Sequence, residues 1–311
     1  MASIRDLDPE RDAEGVVAVM REAGPTVVTS PEAWRHRVET IPERARHRAW
    51  VAEEDGAIVG SGYAGRNFFT QDSNSGFCGV GVLERRRRRG IGAALARLVL
   101  EHGERIGAHD LSAQFVENEA GVAFAHAYGF HEARAEAESI LDPRTGTERP
   151  PPLDLRRVAD VDPRLVYDVD IGATRDMPSL EPIDDIPYDE WVGHVLEHPI
   201  FTSEGSVVAM VDNVAAAVSL LVVDRETGRA ANMFTGTLAA YRGRGLGLAV
   251  KLASIEWAAR NGVTQMVTTN DETNAPMLAI NRRLGYVASG RRVEYLREGT
   301  ASSPAPPAPA T

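Results

Sequence analysis

One glycine-rich turn occurs twice in this chain, and its surroundings constrain the fold more than any other feature. Arg87-Arg88-Arg89-Gly90-Ile91-Gly92 is the first copy and Arg242-Gly243-Arg244-Gly245-Leu246-Gly247 the second. A strand-like run precedes each, and apolar residues at helical spacing follow. A strand, a turn rich in free N–H groups and a helix N-terminus together make an anion site, because donors and helix dipole point at one spot. The spacing suggests the pyrophosphate of a coenzyme. Gly90 and Gly245 lie 155 residues apart, and Gly129 and Gly285 lie 156 apart. Two landmarks with nearly one offset indicate a duplicated domain.

With 311 residues the chain has length for two domains, each able to bury a core. The expected boundaries are 1–142 for the first half, a linker at 143–152 with Pro143, Pro150, Pro151 and Pro152, and 153–298 for the second. Residues 299–311, rich in Ser, Pro and Ala, read as a disordered tail. A net charge of −11 argues against nucleic acid as a partner. The single cysteine, Cys78, excludes a disulfide framework and reads as a buried structural thiol. The histidines are scattered without metal spacing, so no metal is expected. The start of the chain carries no apolar signal region, and no run reaches the length of a membrane span. A cytoplasmic protein is expected.

The remaining pattern is the same in both halves. Ala49–Ala52, Ile58–Tyr63 and Phe77–Leu83 read as strands before the first turn, Gly90–Ile106 as a helix, Leu111–Val116 as a strand, and Ala120–Tyr128 as a helix stopped by Gly129. The segment up to Leu141 reads as closing strands. In the second half, Pro163–Gly172 and Pro187–Glu197 read as helices. Ser206–Val211, Ala215–Val223 and Ala230–Thr237 read as strands, Gly245–Asn261 as a helix, Gln265–Thr269 as a strand, and Ala275–Leu284 as a helix ending at Gly285.

This order, with Arg-x-x-Gly-x-Gly in its middle and a short helix ending in Gly-Phe or Gly-Tyr, resembles the GCN5-related N-acetyltransferases. The resemblance covers nearly the whole chain as tandem copies. It implies an α/β architecture of two tandem folds, each a mixed sheet flanked by helices and splayed where an acyl-coenzyme A enters. Acetyl-CoA is then the implied acyl donor. The N–H groups of Arg242, Gly243, Arg244, Gly245, Leu246 and Gly247 are expected to cradle its pyrophosphate, as are those of Arg87, Arg88, Arg89, Gly90, Ile91 and Gly92 in the first copy. Thr235 and Thr237, with Val80 and Val82 in the first copy, offer strand edge to the pantetheine arm. A backbone N–H at Val82 or Thr237 is placed to polarise the thioester carbonyl. Asn270 and Asn274, with Asn118 in the first copy, lie where the family contacts that arm; helix capping is their other reading.

Family members often carry an acidic tyrosine four residues before the glycine that ends the short helix. Here that position is Ala125 in the first copy and Asn281 in the second. Asn281 can donate a hydrogen bond to sulfur but cannot protonate it. The carboxylates expected as bases are Glu84 after the splayed strand of the first copy, and Asp176 and Glu181 in an acidic, Pro-rich loop of the second. That loop is expected to line the acceptor pocket and favour a cation. The second copy, with the cleaner turn and the richer Asn/Thr cluster, is the expected catalytic half. The activity implied is direct acetyl transfer from acetyl-CoA to an amine of a small molecule, by a monomer or homodimer. Tandem copies also resemble mycothiol synthase, and an acyl-CoA-binding or pseudo-enzyme interaction module is the non-enzymatic alternative.

Overall fold

The computed structural model describes residues 2–70, 74–146, 148–180 and 183–299; most of the expected tail, and Glu181, lie outside them. In the first half β1 (Ser3–Asp6), α1 (Pro9–Ala23) and α2 (Pro31–Glu39) precede β2 (Arg48–Glu54), β3 (Ala57–Arg66) and β4 (Ser75–Val82). α3 (Ile91–Ile106), β5 (Asp110–Val116), α4 (Glu119–Ala127) and β6 (His131–Leu141) follow. The second half runs β7 (Asp154–Arg157), α5 (Pro163–Thr174), α6 (Tyr188–Trp191), β8 (Val207–Val211), β9 (Val214–Asp224) and β10 (Arg229–Thr237), then α7 (Leu246–Arg260), β11 (Gln265–Asp271), α8 (Ala275–Leu284) and β12 (Val287–Arg297).

The starts of α1, α2 and α5 share one chemistry. Asp8, Ser30 and Asp162 accept hydrogen bonds from first-turn N–H groups, and a proline follows each. The helix expected over Pro187–Glu197 is shorter than its pattern: α6 passes at Val192 into a π-helical turn, Val192–Leu196. Trp191, the last residue of α6, is buried.

All strands form one sheet of 12, in the order β1-β2-β3-β4-β5-β12-β6-β11-β10-β9-β8-β7. The closing segment of the first half is a single strand, β6, and it does not lie beside β5. It pairs with β11 from Met266↔Leu141 to Asp271↔Glu136, while β12 pairs with β5 from Arg292↔Val116 to Arg297↔Leu111. Each half thus receives its last strand from the other, and β6 and β12 pair along the seam. Both β5 and β11 need an antiparallel neighbour to satisfy their backbone groups, and either closing strand meets that need. The exchange leaves no open edge at the junction. Buried Glu138 of β6 accepts from Ser289 and Arg292 across the seam, and Val293 and Tyr295 of β12 are buried in the first-half core.

Alternation along the strands places the helices. Val208 and Met210 of β8 pack with Val166, Val169 and Trp191, whereas Val207 and Ala209 pack with Leu246 and Val250. Successive side chains of a strand point to opposite faces, so α5 and α6 cover one face of the second half and α7 the other. Cys78 is buried, and burial pushes its thiol up to about 12, as an inert core group.

Candidate active site

The two parallel pairings are the places where the sheet opens. β4 pairs with β5 only from Ser75↔Asp110 to Cys78↔Ala113, and β10 with β11 only from Arg229↔Gln265 to Ala231↔Val267. Beyond these points the strands diverge, towards Val82 and Val116 in the first half and towards Thr237 and Asp271 in the second. Leu238 donates its N–H to Ala216 of β9. Alternation then turns the N–H groups of Thr235 and Thr237 away from β9, to the open side.

The two openings differ in one residue. β10 shifts register against β9 between Asn232 and Phe234, leaving Met233 as a bulge, whereas β4 runs against β3 without a shift. Bulges re-aim side chains and are over-represented beside active sites. Sequence offsets alone did not reveal this extra residue.

At the mouth of each opening stands the glycine-rich turn. Gly245 has φ 76° and Gly243 φ 75°; Gly90 has φ 83°, and Arg88 adopts φ 62° where the second copy has glycine. A Cβ built on Gly90, Gly243 or Gly245 would meet nothing within 4 Å. Neither α3 nor α7 has a side-chain N-cap, so their first-turn N–H groups face the open space unpaired. Arg87 and Arg242 fold back identically, each donating through Nε at 3.1 Å to the last carbonyl of the splayed strand, Val82 or Thr237. Arg88 and Arg89 are exposed. Thr235 Oγ1 is buried without a partner. An uncapped helix start, a cradle clear of Cβ atoms and an orphaned hydroxyl on the open strand edge fit the phosphates and amide arm of an acyl-coenzyme A.

Behind the turn the halves part company chemically. In the second, Lys251 of α7 is fully buried; its Nζ donates at 2.7 Å to Asn281 Oδ1 and lies 3.3 Å from Thr268 Oγ1. Asn281 Nδ2 donates at 2.6 Å to Asn270 Oδ1. Tyr286 donates at 3.2 Å to Asn232, which donates at 2.9 Å to Ser219. The first-half counterparts, matched by helix starts and strand register, are Ala96 for Lys251, Ala125 for Asn281, Phe115 for Asn270, Phe130 for Tyr286 and Cys78 for Asn232. Val80 and Val82 stand for Thr235 and Thr237. A Cβ on Gly92 would lie 3.3 Å from the Phe124 ring, whereas in the second half Ile280, at the same place, stands 3.9 Å from a Cβ on Gly247. A Cβ on Gly247 would also lie 3.3 Å from Thr237 Oγ1, so both openings are closely lined, the first by apolar groups and the second by polar ones.

On the opposite face a cavity of about 580 Å³ lies between the halves. Ile171, Met177, Leu180 and Ile183 of the second half wall it, with Met233 from the bulge; Phe69 and the ends of β5, β6 and β12 close the other side. The Asp184 N–H donates to Phe69 C=O at 2.8 Å, joining the two loops. Asp170 of α5 reaches this cavity. It is buried, accepts from Trp191 Nε1 at 2.7 Å, and is raised to about 6 by burial, against which its hydrogen bonds act. His194 lines the same wall with a buried, unpartnered Nε2, and burial lowers its pKa.

Of the residues expected as catalytic, Asn281 is buried at the polar opening. Asp176 is half exposed and paired with Arg242 at 2.6 Å, beside the turn rather than in the cavity. Glu84 is exposed just after β4, its N–H donating to Glu22. Asn274 and Asn118 cap α8 and α4, and Asn270 stands at the end of the open strand β11. Asp170, Lys251 and the Met233 bulge were not singled out from the sequence. Among the described residues, no cluster of three or more His, Cys, Asp or Glu side chains is arranged for a metal, and no helix is long and apolar enough to cross a membrane.

The profile of the Acetyltransferase (GNAT) family matches residues 17–130 and again residues 173–286, and the chain belongs to this family. It is an acyltransferase with tandem copies of that fold, of a family that generally uses acetyl-CoA. A tandem GNAT protein from the clavulanic acid biosynthesis pathway, solved without AcCoA, superposes with a TM-score of 0.75 at 20% identity, over 97% of this chain and 100% of that one. A GCN5-related N-acetyltransferase from Sphaerobacter thermophilus gives 0.68 at 19% identity, over 97% and 98%. The glucosamine N-acetyltransferase region of a fungal multi-domain GH3 β-N-acetylglucosaminidase gives 0.64 at 16% identity, over 95% of this chain and 38% of that one. At these identities the likeness is one of fold. No curated protein matches the chain.

Proposed function

We propose that the second half transfers acetyl from acetyl-CoA to the amine of a small molecule, and that the first half is a wall of the acceptor pocket rather than a second enzyme. The observation that carries this reading is the contrast between the openings: bulged, polar and backed by a cavity in the second half, unbulged and apolar in the first. The N–H groups of Gly243 to Leu248 hold the pyrophosphate, and the edge of β10 at Thr235 and Thr237 pairs with the pantetheine amides. The Thr237 N–H polarises the thioester carbonyl. The acceptor enters from the cavity past Met233. Asp170, as a carboxylate, attracts the ammonium and takes its proton, directly or through water, so that the free amine attacks. Asn281 faces the departing sulfur as a hydrogen-bond donor. Acetyl passes directly between substrates, with no acyl-enzyme.

A cation with an apolar body suits the cavity: aliphatic side chains stand beside buried Asp170, and the carboxylates of Asp110, Asp170, Asp184, Asp185 and Glu294 outnumber the guanidiniums of Arg134 and Arg175 in its lining. The test is release of coenzyme A thiol from acetyl-CoA by the purified protein across a panel of primary amines. Amine-dependent release is expected. Binding of acetyl-CoA without turnover for any amine would favour an acyl-CoA-binding module instead.

A further inference from the structure

Lys251 is the only lysine in the chain; every other strongly basic side chain is arginine. It is 1% exposed. Around its amine stand Asn281 Oδ1, Thr268 Oγ1 and the Tyr286 ring, 5.1 Å away. None of these is a carboxylate, so the amine is buried without a counter-ion, an arrangement that costs stability. Burial pulls its pKa down to about 7. Arginine could not serve here, because it stays charged and needs five acceptors. The first half builds the same helix with Ala96 and has no such network. A costly polar group kept on one side of a duplication, beside the opening that is polar, calls for a role there.

Its contacts supply one. Charged or neutral, the amine has N–H bonds to give, and at 2.7 Å it donates one to the Asn281 carbonyl oxygen. The Asn281 amide is then fixed with its NH₂ group away from Lys251. One of those N–H bonds meets Asn270 Oδ1 at 2.6 Å; the other makes no hydrogen bond among the described residues. Asn270 cannot hold this orientation alone, since a side-chain amide offers an acceptor and donors alike.

We propose that Lys251 is a positioning residue, which holds the Asn281 amide with a free N–H turned to the place where the thioester sulfur leaves. This rests on the reading of the second opening as the acyl-donor site. Lys251 touches no substrate and acts through Asn281.

The test is a double-mutant cycle on the full chain with acetyl-CoA and the best amine. Lys251→Met should lower kcat about 10- to 100-fold, below the roughly 100- to 1000-fold loss of a preorganised donor outright, because Asn281 itself remains. Its Kd for acetyl-CoA, from calorimetry, should stay within about threefold. Asn281→Ala should lower kcat similarly, and the double variant should be no worse than Asn281→Ala alone. Asn281→Asp keeps a partner for Lys251 but removes the N–H donors, so kcat should fall while the melting temperature holds or rises. That variant decides the matter if Lys251→Met does not fold. A lone lysine also gives a lone ¹³Cε-lysine resonance, which should shift when acetyl-CoA is added to wild type. An unchanged kcat in Lys251→Met, factors that multiply in the double variant, or full activity in Asn281→Asp would overturn the proposal while leaving the donor site intact. Failure of wild type to bind acetyl-CoA would remove the site reading and this inference together.

Discussion

Gly245→Glu isolates the anion cradle of the second half, and Gly90→Glu is its matched control in the first. Both glycines have positive φ, and a Cβ on either would meet nothing within 4 Å. The free protein therefore accommodates the new side chain with conformational strain alone, about 1 kcal/mol. Part of that is offset by about 0.5 kcal/mol, because a carboxylate at a helix N-terminus is favoured by the dipole. With about 0.5 kcal/mol left, the melting temperature should fall by only about 1–2 °C. Ligand binding is a different matter. A carboxylate about 6 Å from a phosphate charge, at an effective dielectric near 20, is repelled by about 3 kcal/mol. That corresponds to a Kd for acetyl-CoA about 100-fold higher. Isothermal titration calorimetry on wild type and both variants reads this directly. The expected pattern is loss in Gly245→Glu and a change of less than about threefold in Gly90→Glu, a ratio set by the repulsion above. Tight binding retained in Gly245→Glu, or lost only in Gly90→Glu, would refute the assignment of the working cradle to the second half.

Other predictions follow from the same geometry. Asp170 is held at about 6, above the ordinary carboxylate value of about 3.9, so kcat/KM should rise through pH 6 as the carboxylate forms. Asp170→Asn should remove that limb and lower kcat/KM about 10²- to 10⁴-fold. The same raised pKa makes Asp170 most compatible with folding below its unfolded pKa, and this contribution is lost as pH rises through 6. At pH 8 Asp170→Asn should therefore melt no lower than wild type, by differential scanning fluorimetry. Trp191→Phe deletes the donor that favours the Asp170 carboxylate, and should move the acid limb of the pH–rate profile upward. Tyr295, 2% exposed on the exchanged strand β12, packs in the first-half core; Tyr295→Ala should cost about 3–5 kcal/mol. Chemical denaturation should read that loss as one transition of the whole chain, since the strand belongs to the other half.

The sequence carried the fold where the chemistry is local. Gly90, Gly129, Gly245 and Gly285 mark helix boundaries because each needs a positive φ there, and their common offset exposed the duplication. It did not carry the strand exchange. β6 and β12 are equally able to pair with β5 or β11, and nothing in their alternation says which. The bulge at Met233 was invisible for a related reason. The one extra residue in β10 changes the pairing, and both glycine landmarks lie beyond it in the chain, so their offsets carry no trace of it. Asp170 had a signal that went unread. It sits at helical spacing with Val166, Val169 and Ala173, on the face that must be buried, where an ionisable group is an anomaly. Lys251 likewise lies among Ala249, Val250 and Leu252. Asp176 stands beside the turn rather than in the cavity because acidity in a loop near a cleft does not fix direction, and its neighbour Arg242 pairs with it.

On the reading proposed above, the exchange of strands and the apolar first opening explain one another. Once β12 completes the first half and β6 the second, neither half closes its sheet without the other. The first half is then held in place by the fold itself, whether or not it turns anything over. Residues around its opening are free to become apolar, as Ala96, Phe115, Ala125 and Phe130 are, and packing them adds to the core. What it must keep is the surface it lends to its neighbour: the loop at Phe69, and the ends of β5 and β6 that face Asp170 across the cavity. A duplication that began with two equal clefts thus has a physical route to one. On that reading, the half that supplies the acceptor wall gains stability by lining its own opening with apolar side chains, and the half with the bulge retains a costly polar network for catalysis.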